Sequence, residues 1–246
     1  MLHNYFIIAW RNIWKHKLFS LINIFGLSVG IAFTLLIAVY VWQEMSINSE
    51  LRNTENQYIV QSKWKDPGMG YELTCLAALP EALKRNYPGL VTNYYHWDGV
   101  SSNVSKGDKH FRENLQVGDG TFLTTYGFKL LHGDAVTALN DPFSVVITSA
   151  GAIKYFGKTN VVGQTLTIES FTGLKHDFTV TGVLDRYRKN SVTDITEQSN
   201  STVFLPAPAA KFLGRDLESW NNVVVVGLLE LKKGVKPQDL VKPMKA

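Results

Sequence analysis

The sequence predicts an α+β ectodomain held behind a single N-terminal transmembrane helix. Three observations predict it: an uncharged apolar run from Leu18 to Trp42, a basic and acid-free segment ahead of it, and short strand patterns interspersed with helical ones behind it. A helix rises about 1.5 Å per residue, so roughly 20 apolar residues cross the ~30 Å hydrocarbon layer. The run is long enough to span with some tilt.

The charges ahead of the run are Arg11, Lys15 and Lys17, and the first acidic residue is Glu44. Short segments rich in Lys and Arg stay on the cytoplasmic side. These three residues therefore set the expected topology, with the N-terminus inside and residues after about 43 outside. A cleaved signal peptide has an apolar core of ~7–15 residues that ends in small residues. This run is longer and ends in the bulky Tyr40, Val41 and Trp42, so a retained anchor is expected. Tyr40 and Trp42 suit the outer interface, where amphipathic rings settle.

Residues 1–17 form the cytoplasmic segment. Leu2, Phe6, Ala9, Trp10, Ile13 and Trp14 recur at helical spacing, and Asn4, Arg11, Asn12 and Lys15 fall mostly on the other side. This pattern predicts an amphipathic helix on the membrane surface; the alternative is a plain extension of the transmembrane helix. Within the span (18–42), Gly26 and Gly30 make Gly-x-x-x-Gly around Ser28, a spacing that lets helices approach closely in lipid. Glycine is also common in membrane helices generally. Asn23 is a polar group in the inner third, where such side chains face protein rather than lipid. Asn23, Gly26 and Gly30 together predict a helix-packing face.

The net charge of +4 misleads if read whole. Three of the 25 basic residues precede residue 43, which leaves 22 against 21 acidic in the remainder. The ectodomain is nearly neutral and has no basic footprint for nucleic acid. Cys75 is the sole cysteine, so stability comes from packing rather than from an intrachain disulfide. The ectodomain is large enough for one substantial core or two small lobes.

Beyond the anchor, 43–56 is polar and reads as a helical stalk. Gln57–Trp64 alternates as a strand, and Asp66, Pro67, Gly68 and Gly70 make a loop. Cys75–Tyr87 reads as a helix that begins in earnest near Pro80, because proline fits a first turn, and Pro88-Gly89 stops it. Leu90–Trp97 is a strand, and Val100–Ser105 with His110–Val117 flank a hairpin turn at Lys106-Gly107-Asp108-Lys109. A short helix over Phe122–Tyr126 follows, then a strand over Ser144–Thr148 and a helix from Ala150 to Phe156 that ends at Gly157. Gln164–Ser170 and Asp177–Leu184 suggest another hairpin. Val203–Leu205 and Val223–Leu231 are late strands, with the β-branched run Val223–Val226 predicted central and doubly buried. Pro237–Leu240 begins a last helix. Interspersed strands, helices and hairpins make this α+β rather than a βαβ array.

No Gly-x-x-x-x-Gly-Lys-Ser/Thr loop, His-Glu-x-x-His, Cys-x-x-Cys or Gly-x-Ser-x-Gly is present. His96, His110, His132 and His176 lack metal-ligand spacing, and Asp134 and Asp185 read as turn chemistry at strand ends. The residues give no catalytic, cofactor-binding or metal site. Trp64, Trp97 and Trp220 fit either a ligand groove or a core or interface.

Several segments carry a family resemblance. Ala9-Trp10-Arg11-Asn12-Ile13-Trp14-Lys15-His16-Lys17, followed by Phe19-Ser20-Leu21-Ile22-Asn23-Ile24-Phe25-Gly26-Leu27-Ser28-Val29-Gly30, resembles the start of ABC-transporter permeases of the FtsX/MacB type, in their Bacteroidetes-like branch. Ser144-Val145-Val146-Ile147-Thr148, Lys154-Tyr155-Phe156-Gly157, Val162-Gly163-Gln164-Thr165-Leu166 and Phe178-Thr179-Val180-Thr181-Gly182-Val183-Leu184, with Asn190-Ser191 after them, look like a MacB-like periplasmic core domain. The resemblance covers nearly the whole chain. It implies a bacterial inner (plasma) membrane location and a periplasmic core over 57–246 in two lobes, one of about 57–97 plus 202–246 and an inserted one of about 98–201.

The implied role is the N-terminal part of a permease subunit. Its periplasmic domain couples ATP-driven movement to substrate export or extraction and has no chemistry of its own. The implied partners are an ABC ATPase subunit, which binds the ATP that this chain does not, a second permease subunit in a homo- or heterodimer, membrane lipid, and a periplasmic adaptor or lipoprotein. Three more membrane helices are expected in such a permease. The sequence stops at Ala246 without them, which suggests a fragment of a longer permease or a truncated gene that alone transports nothing. The alternative is a single-pass membrane-anchored periplasmic binding or sensor module. A tethered enzyme is the weakest reading, because no site is visible.

Overall fold

The computed structural model describes residues 2–66, 68–187, 189–195 and 201–244. Leu2, Phe6 and Ala9 fall on a helix, but their side chains, like that of Asn4, lie outside the described set, as does Pro67 of the predicted loop. The chain divides into two compact units, Met1–Ile47 and Asn48–Ala246.

In the first unit, α1 (Leu2–Lys15) and α2 (Lys17–Met45) are separate helices. His16 breaks them, with φ −119° and ψ 57° outside the helical region. The helix of the predicted anchor is a little longer than the apolar run and buries none of its residues. It is the one described helix long and apolar enough to cross a membrane. The expected helical stalk is not helical throughout: α2 ends at Met45, capped by the backbone N–H of Ser46, and the chain then turns to a single 3-10 turn at Thr54–Asn56.

In the second unit, nine strands are described: β1 (Gln57–Val60), β2 (Val91–Lys106), β3 (Lys109–Gly118), β4 (Leu130–Gly133), β5 (Ser144–Thr148), β6 (Thr165–Glu169), β7 (Lys175–Leu184), β8 (Val203–Pro206) and β9 (Val226–Leu231). The helices are α3 (Leu79–Asn86), α4 (Phe122–Tyr126), α5 (Ser149–Phe156), α6 (Ala209–Phe212) and α7 (Pro237–Met244). The strand order is β1-β9-β2-β3-β8-β5-β7-β4, with β6 alongside β2 and β7.

The long strand β2 joins two regions. Its first half, Val91–Trp97, pairs antiparallel with β9, which also pairs with β1. From Asp98 to Lys106 it pairs with β3 instead. β8 lies beside β3, in parallel, and beside β5. The predicted strands Leu90–Trp97 and Val100–Ser105 are therefore one. Gly99 does not interrupt them, because its missing side chain leaves room for the Trp97 indole: a Cβ there would sit 2.7 Å from that ring. The strand predicted from Val223 begins at Val226, and Val223 and Val224 are only half-buried. Val225, fully buried, forms a lone bridge with Cys75. The burial is continuous from Val225 to Leu229, displaced two residues from the expected run.

Two larger apolar clusters and one smaller one hold this unit. One gathers Leu115, Val145, Ile147, Phe178 and Val203 around β3, β5, β7 and β8. A second is aromatic, with Tyr95, Phe122, Tyr126, Phe128 and Phe204 packed ring to ring. The third lies between α3, α7 and the first sheet region, around Leu83, Leu229 and Leu240. At Gly227 a Cβ would collide with Pro80 and Cys75, so glycine lets α3 rest directly on β9.

Candidate functional site

The residues that follow the anchor form a connected polar feature of the second unit. Asn48 adopts φ 63°, a left-handed conformation that asparagine tolerates better than most residues. Its Oδ1 accepts from the Ser191 N–H at 2.7 Å and from the Ser191 hydroxyl at 3.1 Å. Its own N–H donates to the Lys189 carbonyl at 3.4 Å. The Arg52 N–H donates to the Tyr126 carbonyl at 3.0 Å, and its guanidinium reaches the Thr124 carbonyl. The Arg52 stem covers Gly127, which caps α4 at φ 76°. Asn53 donates to the Glu230 carboxylate of β9 at 2.8 Å, and the Gln57 amide donates to the Arg52 carbonyl. One short strap is thereby fastened to the β7–β8 connection, to α4 and to β9.

The far side of the clasp carries hydrogen bonds of its own. The Asn190 side chain is buried and accepts from the Val192 and Thr193 N–H groups, each at 2.9 Å. Tyr187 packs edge-on to Phe128, and burial, partly offset by the Thr193 hydroxyl, pushes its phenol up to about 12. A polar cleft of about 370 Å3 opens beside the strap, lined among others by Glu50, Lys129, Asp185, Arg186 and Lys189.

Three further ionic groups are structural in their geometry. Arg215 grips Asp98 in a two-pronged pair at 2.8 and 2.7 Å, where β2 changes partners. The pair holds the guanidinium charged more firmly than usual, although burial opposes it. Glu113 accepts from Lys154 Nζ at 2.5 Å, the Tyr155 hydroxyl at 2.7 Å and the Thr202 hydroxyl at 2.9 Å. Burial alone would raise its pKa, but these three donors and the Lys154 charge bring it below the usual carboxylate range. His96 Nδ1 lies 2.9 Å from Asp119 Oδ2, but out of line for a hydrogen bond. Burial disfavours the imidazolium, yet the Asp119 carboxylate outweighs it and the pKa is raised.

The sequence-predicted site residues lie in the first unit. Asn23, Gly26 and Gly30 are on α2, with open space where a Cβ would stand at either glycine. Arg11 and Lys15 are on α1, and Lys17 is the first residue of α2. Trp64, Trp97 and Trp220 do not share a cleft: Trp97 is buried, while Trp220 is half-exposed. Cys75 is buried, and desolvation pushes its thiol up to about 11. No group of His, Cys, Asp and Glu that could hold a metal occurs among the described residues.

The family model described as MacB-like periplasmic core domain matches residues 20–246. No curated protein matches the chain. Among solved structures, the periplasmic region of MacB from Actinobacillus actinomycetemcomitans is 13% identical, with a TM-score of 0.55 over 82% of this chain and 85% of that one. A domain of a Porphyromonas gingivalis protein described as a permease is 21% identical, with a TM-score of 0.54 over 70% and 69%. The extracellular domain of the noncanonic ABC-type transporter YknZ from Gram-positive bacteria is 14% identical, with a TM-score of 0.50 over 75% and 86%. At these identities the likeness is one of fold.

Proposed function

The chain belongs to the MacB-like periplasmic core domain family, and we propose that it relays motion between an ATP-driven partner and the periplasm. In this reading it is the N-terminal part of an ABC transporter permease subunit. An ABC ATPase subunit binds and hydrolyses the ATP, and this chain contributes no chemistry. A second permease subunit completes the assembly, and Asn23, Gly26 and Gly30 pack against a neighbouring membrane helix. The N-terminus is cytoplasmic and residues from about 43 onward are periplasmic.

The observation that carries the proposal is the strap. The covalent chain leaves α2 and within a few residues is bonded to three parts of the fold far apart in sequence. A displacement of the anchor would be delivered to all three at once, not absorbed by a free linker. A ligand-binding module does not need that attachment.

The test is made on the full permease in membranes, with spin labels at Lys175→Cys on paired subunits; the buried Cys75 thiol does not compete for label. ATP is expected to change the label distance in the otherwise wild-type protein. Asn48→Ala, Arg52→Ala and Asn53→Ala together remove the strap's side-chain bonds to the β7–β8 connection, to α4 and to β9, and are expected to reduce that change strongly while ATP hydrolysis continues. A distance indifferent to ATP in the wild type, or a change undiminished by the triple substitution, overturns transmission through the strap. Failure of any ABC ATPase to co-purify favours the binding or sensor module instead.

A further inference from the structure

We propose that the elbow between α1 and α2 is a binding site for an anionic glycerophospholipid, an inference that rests on the anchor lying in a membrane. The break at His16 leaves an open apolar angle walled by Ile13 and Trp14 on one helix and by Ser20, Ile24 and Phe25 on the other. Lys17 stands at its mouth, with Nζ 5.1 Å from the centroid of the Trp14 ring. The ring positions the ammonium without neutralising it. Lys17 has no ion-pair partner among the described residues, and no acidic residue occurs before Glu44.

The two ends of the groove match the two ends of a lipid. Its mouth offers a cation and the Ser20 hydroxyl, which suit a phosphate. Its wall continues along α2 as far as Ser28, roughly 16 Å beyond Lys17 at 1.5 Å per residue. That is about half of the ~30 Å hydrocarbon layer, the depth of one acyl chain in one leaflet. A packed neighbouring helix would cover the apolar wall but leave the ammonium without a counter-charge. Anionic headgroups attract each exposed Lys near a membrane surface by about 1 kcal/mol, so charge complementarity selects the lipid.

The test is native mass spectrometry of the full chain released from nanodiscs that contain equal phosphatidylglycerol and phosphatidylcholine. One retained phosphatidylglycerol per chain is expected, favoured about fivefold over phosphatidylcholine. Lys17→Gln is expected to remove that preference, and Ser28→Trp, which fills the inner end of the wall, to reduce retention of both lipids. Lys15→Gln is expected to leave the preference in place. Equal retention of the two lipids overturns the proposal. So does an equal effect of Lys15→Gln and Lys17→Gln, which marks diffuse attraction and no site. A Ser20→Cys disulfide between copies at high yield also overturns it, by giving the groove to a second chain. A reversed reporter-fusion topology would move the lipid to the other leaflet without touching these outcomes, so the two readings fail separately.

Discussion

Glu113 shows how a single residue ties three elements together. It stands on β3 and accepts from Lys154 and Tyr155 on α5 and from Thr202 just before β8. The Lys109 ammonium in turn donates to the carbonyls of Lys154 and Tyr155, which satisfies the end of the same helix. Removing the carboxylate strands a buried phenol and hydroxyl, while Lys154, about a third exposed, returns to solvent. Glu113→Ala is therefore expected to cost about 2 kcal/mol at neutral pH, in the range for stranded buried polar groups and below the roughly 3–5 kcal/mol of a fully buried broken ion pair. The pH dependence has a definite sign. The folded pKa is depressed, so the contribution is fully present above the unfolded value of about 4.3 and is lost as pH falls through the folded one. Urea unfolding of wild type and Glu113→Ala at neutral pH and at about pH 3 checks this: the gap is expected to shrink in acid, and a gap that widens contradicts the assignment. His96 has the opposite sign, since its raised pKa adds stability below the unfolded value of about 6.5 and loses it as pH rises through the folded one.

At the scale of elements, β9 is the centre of the first sheet region, with β1 on one side and β2 on the other. Val225, just before it, is fully buried and bonded across to Cys75. Val225→Asp would bury a carboxylate without a partner, at a cost of several kcal/mol against a typical total of about 5–15. The expected result is an ectodomain that is unfolded or melts far lower. An unaltered melting temperature would put this segment at a yielding edge. Much of the element list was legible because its signals are local. Gly107 marks the hairpin turn, and the Thr148 hydroxyl accepts from the Gly151 N–H to start α5, which Gly157 ends at φ 74°. What escaped the sequence has local and non-local causes. β2 runs through Gly99 because an indole fills the gap, and β9 starts late because Cys75 claims Val225 first. β4 is a short, half-exposed edge strand with a register shift, and α6 is a single turn, so neither has room for a periodic signal. The strap was equally hidden, because the partners of Asn48 and Asn53 lie 143 and 177 residues away.

For the whole molecule, the division at Asn48 separates a unit with no buried residue among those described from one that holds the three apolar clusters. Every member of the three apolar clusters lies at or beyond Leu51, and α2 contributes no buried residue. The ectodomain is therefore expected to fold without the anchor, with an internal coupling that depends on where the chain is cut. A fragment beginning at Asn48 keeps the bonds to Lys189, Ser191, Tyr126 and Glu230; one beginning at Gln57 loses them all. The cut at Asn48 removes no core side chain, the cut at Gln57 removes only the half-buried Leu51 at the margin of the aromatic cluster, and net hydrogen-bond contributions are about 1 kcal/mol each. Both fragments are thus expected to melt cooperatively, with the shorter lower by several degrees. The larger difference is expected in local opening. Amides of Val192 and Thr193, held by the Asn190 side chain behind the clasp, are expected to exchange with deuterium at least tenfold faster in the shorter fragment, whereas those of Val145 and Val180 in the main core change little. Aggregation of the Asn48 fragment would mean that the anchor contributes to the fold. Equal protection of Val192 and Thr193 in both fragments would mean that the strap lies on the ectodomain without holding it, and it could then carry no motion from the membrane.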